Sequence, residues 1–170
     1  MRVFYALTID DSSKDKLYKI SSKQRGLCSG GKFTTSSNYH LTITFVGNVS
    51  ENELDKYKEV LNYVSTLPTE ISLDAYSFFM KKRYILYFDV KNSSILSQLK
   101  NEIDNGLLEL GFVDQFSEYV PHITIGRNIK EVKEILPLEK IVLKVKSLAL
   151  MGSVNEGNGL VYKELFEIIK

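Results

Sequence analysis

The stretch His40-Leu41-Thr42-Ile43-Thr44-Phe45 alternates polar and apolar side chains and is rich in residues that favour β-structure. In a strand, successive side chains point to opposite faces, so His40 and Thr42 share one face, opposite the intervening Leu41. Because each residue advances the strand by roughly 3.3 Å, the Thr42 hydroxyl lies about 7 Å along the strand from the imidazole. The stretch therefore predicts a strand that presents one imidazole and one hydroxyl on the same side.

The same form, His-apolar-Thr-apolar, recurs at His122-Ile123-Thr124-Ile125-Gly126-Arg127. The chain has only two histidines, and both stand in this motif. If the two strands lie side by side or face each other, they form a cleft with two imidazoles and two hydroxyls. The alternative is that each histidine is half-buried at the start of a strand and each threonine merely favours β-structure. The use of both histidines in one duplicated motif favours the cleft.

Two imidazoles and two hydroxyls suit phosphoryl transfer without a metal ion. The reference pKa of imidazole is about 6.5, so near neutrality one ring can remove a proton from the attacking oxygen while the other protonates the leaving oxygen. Thr42 and Thr124 can donate hydrogen bonds to phosphate oxygens. Arg127 is a further candidate for phosphate binding, although plain alternation puts it on the apolar face, so its contact requires a twist or bulge. The motifs are too alike to say which histidine is the acid.

Composition excludes several other classes of protein. The 170 residues include 22 Lys and Arg against 21 Asp and Glu, which argues against a strongly basic nucleic-acid scaffold but not against a local basic cleft. The single cysteine, Cys28, excludes an internal disulfide, and the chain has too few Cys and His residues for a zinc cluster. We expect no cofactor, no metal and no membrane association. An unpaired cysteine and the lack of a signal-peptide pattern favour the cytoplasm.

Strand and helix patterns alternate along the chain. Helices are expected over residues 10–25, 54–64 and 94–110, with a short one over 129–136. Hairpins are expected from the strand pairs 70–80 with 84–90 and 141–151 with 160–169. Because hairpins are as frequent as helical connections, the pattern predicts an α+β fold with antiparallel sheets. No low-complexity linker divides the chain, so we expect residues 1–170 to form one compact, bilobed domain.

Aromatic side chains near the motifs could stack on a nucleobase. Tyr39, Phe45 and Phe116 are the candidates. The chain has 10 Tyr and 9 Phe, so most of these side chains must belong to the core. The basic run Lys81-Lys82-Arg83 could steer RNA, although a solvated hairpin turn is the simpler interpretation.

Paired H-x-T-x motifs on two strands resemble the 2H phosphoesterases, and most of all the RNA 2',3'-cyclic phosphodiesterases, also called 2'-5' RNA ligases. The resemblance extends over nearly the whole chain. It includes the first strand at residues 1–7, the first motif with its trailing Phe-x-Gly at 38–47, and the second motif with its flanking Pro and Arg at 121–127. Near the C-terminus it includes Ser153, Gly159 and Tyr162.

This resemblance implies a bilobed fold in which two antiparallel sheets, with helices outside, face each other across a central cleft. It implies hydrolysis of a terminal RNA 2',3'-cyclic phosphate to a 2'-phosphate, with His40 as proton donor and His122 as proton acceptor. A 5'-hydroxyl in place of water would form a 2'-5' linkage. The partners implied are RNA ends, tRNA fragments among them, and we expect a monomer without an obligate protein partner.

Two positions depart from the family pattern. Thr44 stands where a basic residue is common, and Gly152 stands where a basic residue often precedes Ser153. We therefore expect two positive charges to be missing near the substrate path, and the body of the RNA to be held loosely. The alternative functions are another 2H phosphodiesterase, acting on small cyclic nucleotides or oligonucleotide 3' ends, and a non-catalytic RNA-binding module.

Overall fold

The structure is a computed structural model that describes residues 1–112 and 118–169. Within these ranges the chain forms ten strands and four α-helices. The strands are β1 Arg2–Ile9, β2 Cys28–Ser29, β3 Lys32–Phe33, β4 Leu41–Asn48, β5 Glu70–Met80, β6 Tyr84–Val90, β7 His122–Ile129, β8 Glu131–Val132, β9 Pro137–Asn155 and β10 Leu160–Ile168. The helices are α1 Asp11–Ile20, α2 Ser22–Gly26, α3 Leu54–Glu59 and α4 Ser94–Glu109.

Eight of the strands form an antiparallel sheet in the order β3-β7-β6-β5-β9-β1-β4, with β10 also paired to β9. The 19-residue β9 joins two halves: its first part pairs with β5, and its second part pairs with β1 and β10. We call β3, β5, β6 and β7 the His122 half, and β1, β4, β10 and the second part of β9 the His40 half. The expected antiparallel α+β architecture is confirmed.

The two faces of β1 show how the core and the site are separated. Val3, Tyr5 and Leu7 belong to the main core, which continues through both halves of the sheet. Phe4 and Ala6 point to the other face, where they form a small second cluster with residues of β9. The second cluster supports the candidate site described below, because the ring of Phe4 also packs against the imidazole of His40.

The helices follow the expected patterns closely. α4 begins after Ser93, whose hydroxyl accepts a hydrogen bond of 3.2 Å from the Leu96 amide, and buries its apolar stripe in the main core. The helix expected over 10–25 is two helices separated at Ser21. The helix expected over 54–64 is α3 followed by a short 3-10 turn. None of the described helices is long and apolar enough to cross a membrane.

The prediction of a helix over residues 129–136 is wrong. This segment instead forms β8, which pairs with β2, and the amide of Lys133 donates to the carbonyl of Leu27. The buried side chain of Gln24 binds the backbone beyond β8, donating to the Glu134 carbonyl and accepting from the Leu136 amide, each at 2.8 Å. Backbone groups that would bond within a helix therefore find partners in a distant part of the chain.

Candidate active site

His40 is held rigidly at the entrance of β4. Its Nδ1 lies 2.7 Å from the carbonyl oxygen of Asn38, and its Nε2 lies 3.0 Å from Oγ1 of Thr42. A carbonyl oxygen only accepts hydrogen bonds, so Nδ1 carries a proton and Nε2 is the nitrogen that gains or loses one. The sequence motif thus orients the imidazole so that Nε2 can exchange a proton next to the threonine hydroxyl.

Aromatic rings enclose the imidazole of His40. Its centroid lies 5.0 Å from that of Phe4 and 4.9 Å from that of Tyr162, which contacts it edge-on. Asn38 holds Tyr162 in place, because its side-chain amide donates to the Leu160 carbonyl at 2.7 Å and accepts from the Tyr162 amide at 3.2 Å. One asparagine therefore positions both the imidazole and the ring against which it packs.

His122 is held in a parallel manner on β7. Its Nδ1 lies 2.7 Å from the Val120 carbonyl oxygen, and its ring lies 5.1 Å from Phe79 and 5.1 Å from Tyr87. Here too the carbonyl leaves Nε2 as the titrating nitrogen. Asp89 is directly opposite His122 on the neighbouring strand, so the two side chains share one face.

Electrostatic interactions link the two histidines and Arg127. Burial, together with the positive charges of Arg127 and His122, lowers the pKa of His40 to about 4, although the hydrogen bond to the Asn38 carbonyl opposes this shift. Burial also lowers the pKa of His122; Arg127 acts in the same direction, whereas the carboxylate of Asp89 raises the pKa. The guanidinium thus acts on both imidazoles, and both are neutral near pH 7 when no anion is bound.

A β-bulge follows the threonine in each motif strand. On β4, Tyr5 and Ala6 of the neighbouring strand pair with Thr44 and Thr42, so Ile43 is the extra residue. The register of β7 against β6 skips Ile125 in the same way. Each bulge reverses the alternation of side chains beyond it.

These bulges bring Phe45 and Arg127 to the site. Plain alternation would place both on the apolar face, but both line a cavity of about 420 Å³ together with His40 and Thr42. The bulge that Arg127 was expected to need is present. Other residues of the cavity wall are Arg2, Phe4, Ser153, Leu160 and Tyr162. His122 and Thr124 lie outside this lining, on the same strand as Arg127.

The three aromatic residues predicted to stack on a nucleobase differ in where the structure places them. Phe45 is 45% exposed and lies beneath the Arg2 guanidinium, 4.9 Å from the ring centroid, so it is available to stack on a base. Tyr39 is 1% exposed, with its ring against Phe88 in the core, so its assignment as a stacking residue is wrong. Phe116 lies outside the described residues.

The two positions expected to lack a positive charge both point away from the cavity. Thr44 is buried under α4, where its hydroxyl donates to Asp104 at 2.7 Å and accepts from Lys100 at 3.0 Å. A Cβ at Gly152 would meet the side chains of Met1 and Leu165, which lie outside the cavity lining. A charge at either position would therefore not face the substrate, and the expectation that the cleft lacks these charges is corrected.

Several residues of the site carry no local sequence signal. Phe79 and Tyr87 read as ordinary strand residues, and only the pairing of strands brings them to His122. Phe4 and Tyr162 belong to the family pattern, but that pattern does not show that they pack against His40. Tyr119 was also missed; its hydroxyl donates to the Thr42 carbonyl at 2.8 Å and so ties the approach to β7 to β4. Among the described residues, no group of three or more His, Cys, Asp or Glu side chains is arranged as a metal site.

The chain is similar to known proteins over nearly its full length. A sequence profile of the 2'-5' RNA ligase superfamily matches residues 31–156. A protein of Methanocaldococcus jannaschii named RNA 2',3'-cyclic phosphodiesterase is 33% identical, over 98% of this chain and 99% of the relative. A protein of Thermotoga maritima with the same name is 28% identical, over 98% of this chain and 94% of the relative.

The fold is also shared with solved structures. The crystal structure of E. coli LigT complexed with 3'-AMP matches with a TM-score of 0.80 and 20% identity, over 98% of this chain and 95% of that chain. At this identity the likeness concerns the fold alone. Together with the profile match and the relative from Methanocaldococcus jannaschii, the paired histidine motifs lead to one conclusion: this chain belongs to the 2'-5' RNA ligase superfamily, as the resemblance of its motifs indicated.

Proposed function

We propose that the protein is an RNA 2',3'-cyclic phosphodiesterase that opens a terminal cyclic phosphate to a 2'-phosphate. The observation that carries this proposal is the pair of imidazoles. A backbone carbonyl holds each of them at Nδ1, and the positive charge of Arg127 contributes to lowering the pKa of each. Both retain Nε2 for proton transfer. The names of the relatives support the choice of substrate.

In the proposed mechanism, His122 is the base. Its neutral Nε2 accepts a proton from water while the water oxygen attacks the phosphorus. His40 is the acid: as the bond between phosphorus and the 3' oxygen breaks, protonated Nε2 gives its proton to that oxygen. Thr42, Thr124 and Arg127 bind the non-bridging oxygens. Afterwards His122 holds the proton and His40 has lost one, so proton exchange with solvent restores the starting state.

The low pKa of His40 fits the role of acid only when the substrate is bound. Near neutral pH the free imidazole is uncharged, because burial and the positive charge of Arg127 disfavour its protonated form. A bound cyclic phosphate carries a negative charge, which raises the pKa of an adjacent imidazole. The substrate therefore favours the protonation state in which His40 can act as the acid.

The direct test uses a short RNA that ends in a 2',3'-cyclic phosphate, with a chelator present. We expect a 2'-phosphate product, and loss of turnover in both His40→Ala and His122→Ala. A 3'-phosphate product would overturn the assigned leaving group. Turnover only of small cyclic nucleotides would favour a different 2H phosphodiesterase, and RNA binding that survives both substitutions without any turnover would favour a binding module.

The same site could run in reverse with RNA as the nucleophile. If a 5'-hydroxyl replaces water and His122 accepts its proton, attack on the cyclic phosphate releases the 3' oxygen and leaves a 2'-5' linkage without ATP. The superfamily's name favours this second activity. Incubation of a cyclic-phosphate RNA with a 5'-hydroxyl RNA should give a joined product that resists an enzyme specific for 3'-5' linkages.

Domain organisation, oligomeric state, location and natural substrate remain to be proposed. We propose that residues 1–170 work as one bilobed unit, since β9 is shared by both halves. We further propose a cytoplasmic monomer that acts on fragments such as those of tRNA. Light scattering of the purified protein tests whether it is a monomer, and cell fractionation tests its location. Sequencing of cyclic-phosphate RNA ends in cells that lack the protein tests its RNA substrates.

A further inference from the structure

A second groove adjoins the candidate active site. It has a volume of about 430 Å³ and lies between β3 and the turn that joins β9 to β10. It shares Arg127, Leu160 and Tyr162 with the active-site cavity. A ligand whose reactive end occupies the active site can therefore continue directly into this groove.

Two basic residues are paired on neighbouring strands where the groove meets the site. Lys32 on β3 is directly opposite Arg127 on β7, and both line the groove. Directly paired residues of neighbouring strands share one face, and like charges in such pairs destabilise a sheet. In the part of the chain that the structure describes, neither side chain forms an ion pair. An unneutralised cation pair of this kind is suited to bind an anion.

The backbone keeps this pair together. The Thr34 amide donates to the Ile125 carbonyl at 2.8 Å, which fastens β3 to β7. Gly31 has a φ of 78°, and any side chain at this position would collide with the backbone of Arg127. Among the described residues that line the groove, Glu156 alone carries a carboxylate, and it is already paired with Lys163. The groove therefore keeps a net positive character close to the site.

We infer that Lys32 binds the phosphodiester that precedes the terminal nucleotide of an RNA substrate, while the neighbouring Arg127 binds the cyclic phosphate, and that the groove holds the preceding nucleotide. This inference rests on the proposed function. A cyclic mononucleotide lacks this second phosphate, whereas every RNA end longer than one residue has it. The hydroxyls of Thr34 and Thr35, which also line the groove, can donate to the ribose-phosphate backbone. The protein thereby distinguishes RNA ends from free cyclic nucleotides.

The test compares two substrates: adenosine 2',3'-cyclic phosphate and the dinucleotide ApA that ends in a 2',3'-cyclic phosphate. We expect the unmodified protein to have a higher kcat/KM for the dinucleotide. In Lys32→Ala, the ratio of the two kcat/KM values falls about tenfold, because one charge-assisted phosphate contact is lost. The salt dependence of dinucleotide binding weakens by about 0.7 in the slope of log K against log salt concentration. Lys32→Arg retains most of the preference.

Lys82→Ala is the matched control, because it removes an exposed lysine from the β5–β6 turn, outside the groove lining. An equal fall in the ratio in Lys82→Ala would show general electrostatic attraction and overturn the inference. Equal kcat/KM values for both substrates in the unmodified protein, or an unchanged ratio in Lys32→Ala, would overturn it as well. If the unmodified protein hydrolyses neither substrate, the proposed function itself fails.

Discussion

The two motif strands are nearly identical in sequence but provide different surroundings for their histidines. Both imidazoles are held at Nδ1 by a carbonyl two residues earlier, and both pack between two aromatic rings. His40, however, already bonds a threonine through Nε2, whereas no such bond joins His122 to Thr124 among the described contacts. The duplicated motif supplies the same chemical groups, and the surrounding strands make them unequal.

Charge distinguishes the two histidines further. The charged groups that act on His40 are positive, and they lower its pKa, whereas the carboxylate of Asp89 acts in the opposite direction on His122. An imidazole among cations releases its proton readily, and an imidazole beside a carboxylate holds a proton better. The protonated forms of the two imidazoles therefore differ in acidity. The assignment of His40 as the acid and His122 as the base is a proposal, and a substrate with a sulfur leaving group tests it.

The largest effect should come from removing either imidazole. We expect His40→Ala and His122→Ala each to lower kcat for a cyclic-phosphate RNA by about a thousandfold or more, since general acid-base groups contribute up to about ten-thousandfold. Single-turnover kinetics with excess enzyme measures this loss. Activity within tenfold of the unmodified protein in either variant would contradict a role for that histidine in proton transfer.

The threonines should differ, although the motif presents them alike. Thr42→Val removes both a phosphate donor and the hydroxyl that bonds His40, so we expect kcat to fall about a hundredfold. Thr124→Val removes a phosphate donor alone, and we expect a fall of about tenfold. Both substitutions keep the shape of the side chain and remove only its hydroxyl group. Equal losses in the two variants would argue against a special contact between Thr42 and His40.

The aromatic candidates provide a smaller test of substrate binding. Phe45→Ala should raise KM for an RNA end by about tenfold, because stacking on one base is worth about 1–3 kcal/mol. Tyr39→Phe keeps the buried ring and is the control, with KM expected within twofold of the unmodified protein. Steady-state kinetics on the same RNA measures both. A KM for Phe45→Ala equal to that of the control would remove Phe45 from the binding surface.

The smallest effect concerns the titration of the two imidazoles. With only two histidines in the chain, NMR can follow each one separately. We expect His40 to titrate with a pKa of about 4 and the pKa of His122 to be higher but still below its ordinary value. Asp89→Asn removes the charge that raises the pKa of His122, so that pKa should fall while the pKa of His40 changes little. A rise in the pKa of His122 would contradict the account.

Alternation within a strand was enough to predict the central pairs, because His40 and Thr42, like His122 and Thr124, are related by local geometry alone. Beyond the two bulges, alternation no longer predicts which face of the strand a side chain occupies. Phe45 reaches the cavity and Thr44 turns into the core because β1 pairs with β4 out of register at Ile43. Such a register shift depends on the neighbouring strand, which a single strand's sequence does not contain.

Two other predictions from the sequence were wrong. The segment 129–136 is predicted as a short helix, but its backbone is bound by β2 and by Gln24, about a hundred residues earlier. Tyr39 stands next to a catalytic candidate in sequence, yet its side chain points to the core, as expected for its place beside His40 in an extended segment. Sequence position predicted the proposed reactive groups, while tertiary pairing determined their surroundings.

The most direct test of the acid and base assignment replaces the 3' bridging oxygen of the cyclic phosphate with sulfur. A thiol has a pKa of about 8.5, so a thiolate leaves without the proton that an alkoxide needs. We predict that His40→Ala hydrolyses this substrate within about tenfold of the unmodified protein, while His122→Ala remains inactive on it. Rescue of His122→Ala with no rescue of His40→Ala would contradict the assignment and exchange the two roles.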